Sequence, residues 1–381
     1  MHIAFLTPEY PHQKINHSAG IGSSIKNLAV ALSKKGHDIT VIVYAQKKSE
    51  IFEEEGVNIH LLENKKYNFG KWYFYRKYIQ NYCEKLIKTK KIDLIEAPDW
   101  TGITAFMKFK IPLVIRFHGS DTYFCYLEKR KQKLKNFWFE KLAVKKAAAF
   151  IAPTSFAGEV SQKLFGIKDR TIKTIHYGLD LQKFENLNPE VYENGLILYI
   201  GTIIRKKGVL ELPAIFSLVE KQYPRAKLIL IGGDSFDIIS QSKSTWGLIQ
   251  QELAVNIREK VIYLGKIPYQ EVQAYMKKAH VCVFPTFAET LGMVTIESMA
   301  LLKPVVNSNI GWAQELIVDG ESGFLVHPEN HQQYAEKIIS IIENKQLAVQ
   351  MGQNARRRVE SVFNIEKIAD KNIEFYKSLI D

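Results

Sequence analysis

The sequence predicts an α/β protein built from two doubly wound domains that face each other across a cleft. Three observations predict it. The chain has 381 residues, a length that favours two domains of ordinary size. Short apolar runs alternate with longer helix-period segments in both halves, and that alternation implies parallel sheets with helices on both faces. The least regular stretch, Leu179 to Gly195, carries Asn186, Asn188, Pro189 and Asn194 and separates the halves. The expected division is residues 1–185 and residues 186–364.

Taken in order, the first half offers strands at Ile3–Thr7, Ile39–Tyr44, Asn58–Leu62, Ile92–Glu96, Leu113–Phe117, Ala149–Ala152 and Ile172–His176. Helical patterns lie between them, such as Ile21–Lys35 and Phe137–Lys146. The second half repeats the rhythm at Leu196–Gly201, Lys227–Gly232, Val261–Leu264, Val281–Phe284, Pro304–Asn307 and Gly323–Val326. Residues Ile365 to Ile380 read as an amphipathic helix. It is expected to return to the first domain as part of 365–381. Ligands in doubly wound domains sit beyond the carboxyl ends of the strands, so the expected sites lie in the cleft.

Composition narrows the function classes. A hydrophobic content of 46% with 24% charged residues is ordinary for a globular protein. No apolar run approaches the length of a spanning helix, and Met1 to Leu6 reads as a first core strand rather than a signal peptide. The three cysteines, Cys83, Cys125 and Cys282, are far apart. They fit a reducing cytoplasm and argue against a disulfide framework or a Cys-based zinc site. The net charge of +12 is uneven: up to Glu185 there are 31 Lys and Arg against 18 Asp and Glu, and beyond it 21 against 22. The excess concentrates in Lys65–Lys91 and Lys129–Lys146, interleaved with Phe69, Trp72, Tyr73, Phe74, Phe137 and Trp138. Basic residues among aromatics suit an anionic membrane surface and also nucleic acid. The plainer reading is a solvated helix face with ordinary core aromatics.

The stretch Phe284 to Ala300 carries the most chemistry. A buried strand ends at Pro285, a loop bears Glu289, and a helix from about Leu291 to Leu302 bears Glu297. The unpaired N–H groups at a helix start attract phosphate. Carboxylates beside a phosphate site would repel it unless each accepts hydroxyls on either side of it. A nucleotide sugar, with ribose, diphosphate and hexose in a row, has that layout. Eight residues of helix would span about 12 Å, close to the distance from ribose to hexose. Taken alone, two glutamates eight apart are more often incidental, since glutamate favours helices and their first turns.

Further motifs complete a pattern. Ala19-Gly20-Ile21-Gly22 precedes the first helix, Glu96-Ala97-Pro98-Asp99-Trp100 leaves the fourth predicted strand, and Arg116-Phe117-His118-Gly119 leaves the next. Gly201 to Gly208 contains Lys207-Gly208, and Gly311–Glu315, Asp319-Gly320 and Gly323–Val326 follow the glutamates. Together these resemble, end to end, the family-4 glycosyltransferases, retaining enzymes of the GT-B fold with two Rossmann-like domains. Two positions depart from the family pattern. Thr202 follows Gly201 where an arginine is usual, so Arg205 would have to supply that charge, and Ala19 stands in place of the first glycine.

The resemblance implies roles. Lys207 and Arg205 would meet the diphosphate and stabilise the leaving group. Glu289 would accept hydroxyls of the donor sugar, Glu297 those of the ribose, and His118 would contact the donor sugar and help place the acceptor. Gly20, Gly22 and Gly201 would allow close approach to the donor. Leu291, Gly292, Met293 and Val294 would offer N–H groups to phosphate or sugar oxygens. Asp99 and Asp121 are candidates for acceptor binding, with loop capping as the competing role. No metal site and no cofactor are expected: a UDP-sugar or GDP-sugar is a co-substrate, and the phosphate charge is met by Lys, Arg and amides. The implied activity is a hexosyltransferase acting with retention on a saccharide or lipid-linked saccharide, in cell-surface polysaccharide or glycolipid synthesis. The implied place is cytoplasmic, peripheral on the inner face of the membrane through the basic half, with no nucleic acid partner.

Rival readings fare less well. A nicotinamide-dependent oxidoreductase would need Gly-x-Gly-x-x-Gly after Ile3–Leu6 and an acidic residue ending Ile39–Tyr44, and neither is present. A nucleic-acid-binding protein would leave the glutamate and lysine motifs unexplained. A non-catalytic nucleotide-sugar-binding protein of the same fold is the main alternative.

Overall fold

The computed structural model of the chain describes residues 1–15, 20–168 and 170–380. It divides into two compact units, residues 1–180 with 364–381 and residues 181–363. Ala19, the departing residue of the first glycine motif, lies outside the described residues.

In the first unit the chain runs through β1 (His2–Thr7), α1 (Gly20–Lys34), β2 (Asp38–Gln46), β3 (Glu50–Glu54), β4 (Val57–Glu63), α2 (Lys71–Lys90), β5 (Leu94–Pro98), β6 (Leu113–Arg116), α3 (Asp121–Leu127), α4 (Leu134–Lys146), β7 (Ala149–Ala152), α5 (Ser155–Phe165) and β8 (Ile172–Thr174). The eight strands order as β3-β4-β2-β1-β5-β6-β7-β8. The β1 sequence shows why both faces are covered. Ile3 and Phe5 enter one apolar cluster, whereas Ala4 and Leu6 enter another, as the two-residue period of a strand requires. Neither face could remain in water, because all four side chains are fully buried.

The second unit contains β9 (Leu196–Ile200), α6 (Leu212–Gln222), β10 (Lys227–Ile231), α7 (Thr245–Glu252), β11 (Val261–Tyr263), α8 (Tyr269–Lys278), β12 (Val281–Phe284), α9 (Met293–Ala300), β13 (Val305–Asn307), α10 (Gly311–Gln314), β14 (Phe324–Leu325), α11 (His331–Glu343) and α12 (Lys345–Val362). Its six strands order as β11-β10-β9-β12-β13-β14 and pair in parallel throughout. The last helix, α13 (Ile365–Ile380), belongs to the first unit, where Ile365, Ile368, Ala369 and Tyr376 join the cluster that holds Ile3 and Phe5.

Strand order reverses between β1 and β5 in one unit and between β9 and β12 in the other. Crevices form at such reversals, beyond the carboxyl ends of the strands. The loops leaving β9 and β12 begin at Gly201 and Pro285, so the fold itself brings the lysine loop to the glutamate loop.

Four expectations need correction. The first sheet is not wholly parallel: β3 runs antiparallel to β4 at its edge. Glu50-Ile51-Phe52-Glu53-Glu54 has no apolar run to announce a strand, and its acidic residues suit an exposed edge. The fifth strand begins at Leu94 rather than Ile92, because Lys91 caps α2 in a left-handed conformation (φ 51°) and Ile92 leaves that turn. Helix α4 starts three residues earlier than Phe137. Helix α9 starts at Met293, so half of the chain between Glu289 and Glu297 is loop, and the 12 Å helical span does not apply.

Candidate active site

The loop after β9 is shaped by glycines. Gly201 has φ 152° and donates its N–H to Ile231 O at 2.9 Å. Arg205 to Lys207 form one 3₁₀ turn, closed by Gly208 at φ 67°. A Cβ on Gly208 would lie 1.6 Å from Pro285 O, so only glycine lets this loop meet the loop after β12. The meeting is hydrogen-bonded: Lys206 O accepts from Phe287 N at 2.9 Å and from Ala288 N at 3.2 Å. Lys207 and Glu289 are thereby brought into an ion pair, with side chains 26% and 19% exposed. Burial and the adjacent Lys206 charge pull the Lys207 ammonium below the usual lysine range, and the Glu289 carboxylate opposes that pull.

Arg205 is held from the other side. Its Nε and Nη2 donate to the two carboxylate oxygens of Asp237, each at 2.8 Å. Asp237 is buried and also accepts from Ser240 N at 2.9 Å and Ser240 Oγ at 2.5 Å. Arg205 holds this carboxyl well below the usual carboxylate range. The sequence offered Arg205 as a free substitute for the missing loop arginine, but two of its three nitrogens are already committed.

Gly292 (φ 94°) turns the chain into α9, and a Cβ there would press on the Trp312 ring at 3.0 Å. The first N–H groups of α9 have no acceptor within the helix. Thr295 N bonds back to Gly292 O at 3.1 Å, and Asn307 fastens the turn through Thr295 Oγ1 at 3.0 Å. Leu291 is wholly buried as a core anchor, while Met293 and Val294 are half-buried at the helix start. Glu297 lies one turn on. Burial pushes its carboxyl up to about 7, opposed by a hydrogen bond from the Tyr269 hydroxyl. Lys207, Arg205, Glu289, Glu297, Gly201 and Leu291 to Val294 thus gather around the strand reversal of the second unit.

The first unit holds His118, Asp99, Asp121, Gly20 and Gly22. His118 follows β6 and is 7% exposed. Its Nδ1 lies 2.7 Å from the Tyr177 hydroxyl, and the two rings stack with centroids 5.4 Å apart. Burial and the Arg116 charge push the imidazole well below its usual value, so it is neutral. A phenol donates more readily than it accepts, so this contact leaves the His118 proton on Nε2. Arg116 is itself neutralised by Glu96, with Nε and Nη2 contacts of 2.7 and 2.9 Å, and it also donates to Asn372 Oδ1 at 2.6 Å.

Asp99 is 1% exposed and accepts the His118 N–H at 2.9 Å. Burial and the nearby Glu140 push its carboxyl up to about 8. Asp121 opens α3 and bonds Arg130 at 3.0 Å and Asn136 at 2.9 Å. Burial alone would raise its carboxyl, but Asn136 and Arg130 outweigh that and hold it low. Both aspartates therefore work as loop fasteners in this structure. Gly22 donates its N–H to Glu9 Oε1 at 2.8 Å, and a Cβ there would sit 3.0 Å from the Tyr10 backbone. Gly20 opens α1 in open space, with nothing within 4 Å of an added Cβ. The tight crossing belongs to Gly22.

Sequence reasoning missed Tyr177, Asp237, Tyr269 and Glu9. Each acts on a residue distant in the chain, and no local pattern marks it. Among the described residues no group of His, Cys, Asp and Glu is placed to hold a metal ion.

Residues 182–358 match the family described as Glycosyl transferases group 1, and residues 18–183 match Glycosyltransferase Family 4. The chain belongs to the family-4 glycosyltransferases. An uncharacterized glycosyltransferase of Methanocaldococcus jannaschii is 24% identical over 99% of this chain and 98% of its own. The capsular polysaccharide biosynthesis glycosyltransferase CapM of Staphylococcus aureus is 29% identical over 53% of each chain. Among solved structures, sucrose-phosphate synthase from Thermosynechococcus elongatus superposes with a TM-score of 0.83 at 22% identity, covering 99% of this glycosyltransferase and 98% of the synthase. Anabaena HepE in complex with UDP gives 0.75 at 20% identity, covering all of both chains. The fold is therefore GT-B, with two Rossmann-like halves.

Proposed function

We propose that this glycosyltransferase moves a hexose, with retention and without a metal, from a nucleotide-diphosphate sugar to a saccharide or lipid-linked saccharide acceptor. The observation that carries the reading is the junction of the Lys207 loop and the Glu289 loop beside the start of α9, with Glu297 one turn further on. Lys207 and the first α9 amides meet the diphosphate, whose charge restores a fully protonated Lys207. Glu297 takes the ribose hydroxyls and Glu289 those of the hexose. As the glycosidic bond breaks, negative charge grows on the leaving diphosphate, and cations already in place favour that step. A carboxylate nucleophile is not invoked: the leaving phosphate takes the acceptor proton on the face it departs from. His118 is assigned to the same reaction by the family resemblance, and its Nε2–H suits a sugar oxygen.

UDP is favoured as the nucleotide because HepE, of the same fold, was solved with UDP and with UDP-glucose. The polysaccharide role of CapM supports a saccharide acceptor. A membrane surface is the proposed partner of the first unit. Phe69, Trp72, Tyr73, Phe74, Leu134 and Trp138 are exposed, and Trp72 meets Phe139 with ring centroids 5.5 Å apart. That contact joins the two lysine-rich segments into one face, which suits anionic lipid. Among the described residues no helix is long and apolar enough to cross a membrane.

Calorimetric titration with UDP-, GDP- and ADP-sugars in EDTA tests the donor. Binding of one class, lost in Glu297→Ala, supports the reading, and no binding by any sugar nucleotide would sink it. Proton NMR of the first product reads the anomeric configuration. Flotation with anionic vesicles, reduced by salt, tests the membrane face, and equal flotation with neutral vesicles removes it.

A further inference from the structure

The amino-terminal edge of the second sheet, where β12 and β13 begin, holds a small cavity of about 10 Å³, room for one water-sized occupant. Lys303, His280, Tyr192, Pro189, Val349 and Gln353 line it. It lies at the opposite end of the strands from Gly201 and Pro285. Lys303 is 1% exposed and His280 is 2% exposed, yet Lys303 Nζ and His280 Nε2 have no hydrogen-bond partner among the described residues.

Their chemistry is one-sided. His280 Nδ1 accepts the Gly195 N–H at 3.2 Å, so the ring proton sits on Nε2 and that atom is a donor. Tyr192 stacks on the imidazole with centroids 4.2 Å apart, and Lys303 Nζ lies 5.5 Å from the same Tyr192 ring. The cavity is thus offered an ammonium and an N–H, and among the described residues no carboxylate lines it to answer the charge. Cys282 is near, but burial pushes its thiol up to about 11, so it is not a counter-ion. Glu190, on the same approach segment, is engaged with Lys345 at 3.4 Å on the surface. A buried ammonium without a partner is strongly disfavoured. A lone water would accept both donors but leave the charge and present two hydrogens of its own. A monatomic anion accepts both and cancels the charge, whereas phosphate or sulfate exceeds the space.

We propose that Lys303 and His280 bind a single halide, chloride under ordinary conditions, in this cavity. The ion ties the segment Pro189–Tyr192 to the start of β12, to the turn after α9 and to α12. Gly352 shows how closely that turn is packed, since a Cβ there would lie 2.2 Å from Leu302 O.

The test uses the full chain at constant ionic strength, with chloride or bromide replacing gluconate, which is too large to enter. Thermal unfolding is expected to show a rise of about 3 °C at ten times the dissociation constant, growing with the logarithm of halide concentration above it. Lys303→Met should remove the dependence on halide, whatever it does to the baseline midpoint. Crystals grown in bromide should show an anomalous peak between Lys303 Nζ and His280 Nε2 in the unaltered protein. This second reading does not depend on the variant folding. A halide response that persists in Lys303→Met, or a cavity that holds no anomalous scatterer in bromide, overturns the proposal. Neither readout uses activity, so the outcome is independent of the donor assignment.

Discussion

The two units treat charge in opposite ways. In the first, Arg116 and Glu96 are 3% and 2% exposed and pair with each other, with Asn372 and Tyr376 completing the bonding, while His118 beside them is held neutral. In the second, Lys207 and Glu289 are paired but reachable from solvent, and Glu297 is poised near neutrality by burial. One unit uses ions to fix a neutral donor in place. The other keeps its ions only partly buried, within reach of a charged ligand. Under the proposed function, substrate charge is handled by the second unit.

The largest expected effect breaks the first arrangement. Glu96→Ala leaves Arg116 buried without its counter-charge and should lower unfolding stability by about 3–5 kcal/mol, measured by urea denaturation. Glu289→Ala removes the same kind of partner from a partly buried pair that solvent still reaches. It should cost no more than about 1 kcal/mol in stability while lowering kcat about 100-fold. Equal stability losses in the two variants would erase the distinction.

Glycine contrasts come next. Gly208→Ala collides with Pro285 O and should lower stability by about 2–4 kcal/mol and abolish nucleotide binding. Gly20→Ala meets nothing and should stay within about 0.5 kcal/mol of the parent, both judged by thermal unfolding and UDP titration.

The pH response sharpens the comparison further. With its carboxyl raised to about 7, Glu297 is protonated below that value and a hydroxyl acceptor above it. Nucleotide-sugar affinity should therefore rise about tenfold from pH 6 to 8 through this group. The rise should be missing in Glu297→Gln, which controls for phosphate ionisation. For the unliganded chain the sign is opposite. The folded state holds the Glu297 proton more tightly than the unfolded chain, so this stabilisation is full below the usual carboxyl value and is lost as pH climbs towards 7.

The smallest effect concerns the neutral unit. Tyr177→Phe keeps the stacking on His118 but removes its bond to Nδ1. We expect a fall in kcat of about threefold to tenfold, with nucleotide affinity unchanged. Nitrogen-15 NMR should show the His118 proton on Nε2 in the parent and a mixture of tautomers in the variant.

The strands that set the site were legible because buried parallel strands read as apolar runs, and the lysine and glutamate loops follow two of them. β3 was not, because an edge strand half in water needs no such run. The 12 Å helix between the glutamates failed at Gly292, whose left-handed turn delays α9. Asp237, Tyr177, Tyr269 and Glu9 escaped for a common reason: each acts across 13 to 59 positions of chain, and periodicity carries no information at that range. Arg205 shows the cost, since its sequence announces a free cation and only the fold reveals Asp237.

The two bonds from Phe287 and Ala288 to Lys206 O have a consequence in time. The Lys207 and Glu289 loops are sewn together at one carbonyl, so neither can open by itself. Their amide hydrogens should exchange with solvent as a pair, at a shared rate set by the parting of that carbonyl. A nucleotide that steadies the lysine loop should then slow the exchange of two amides it never touches.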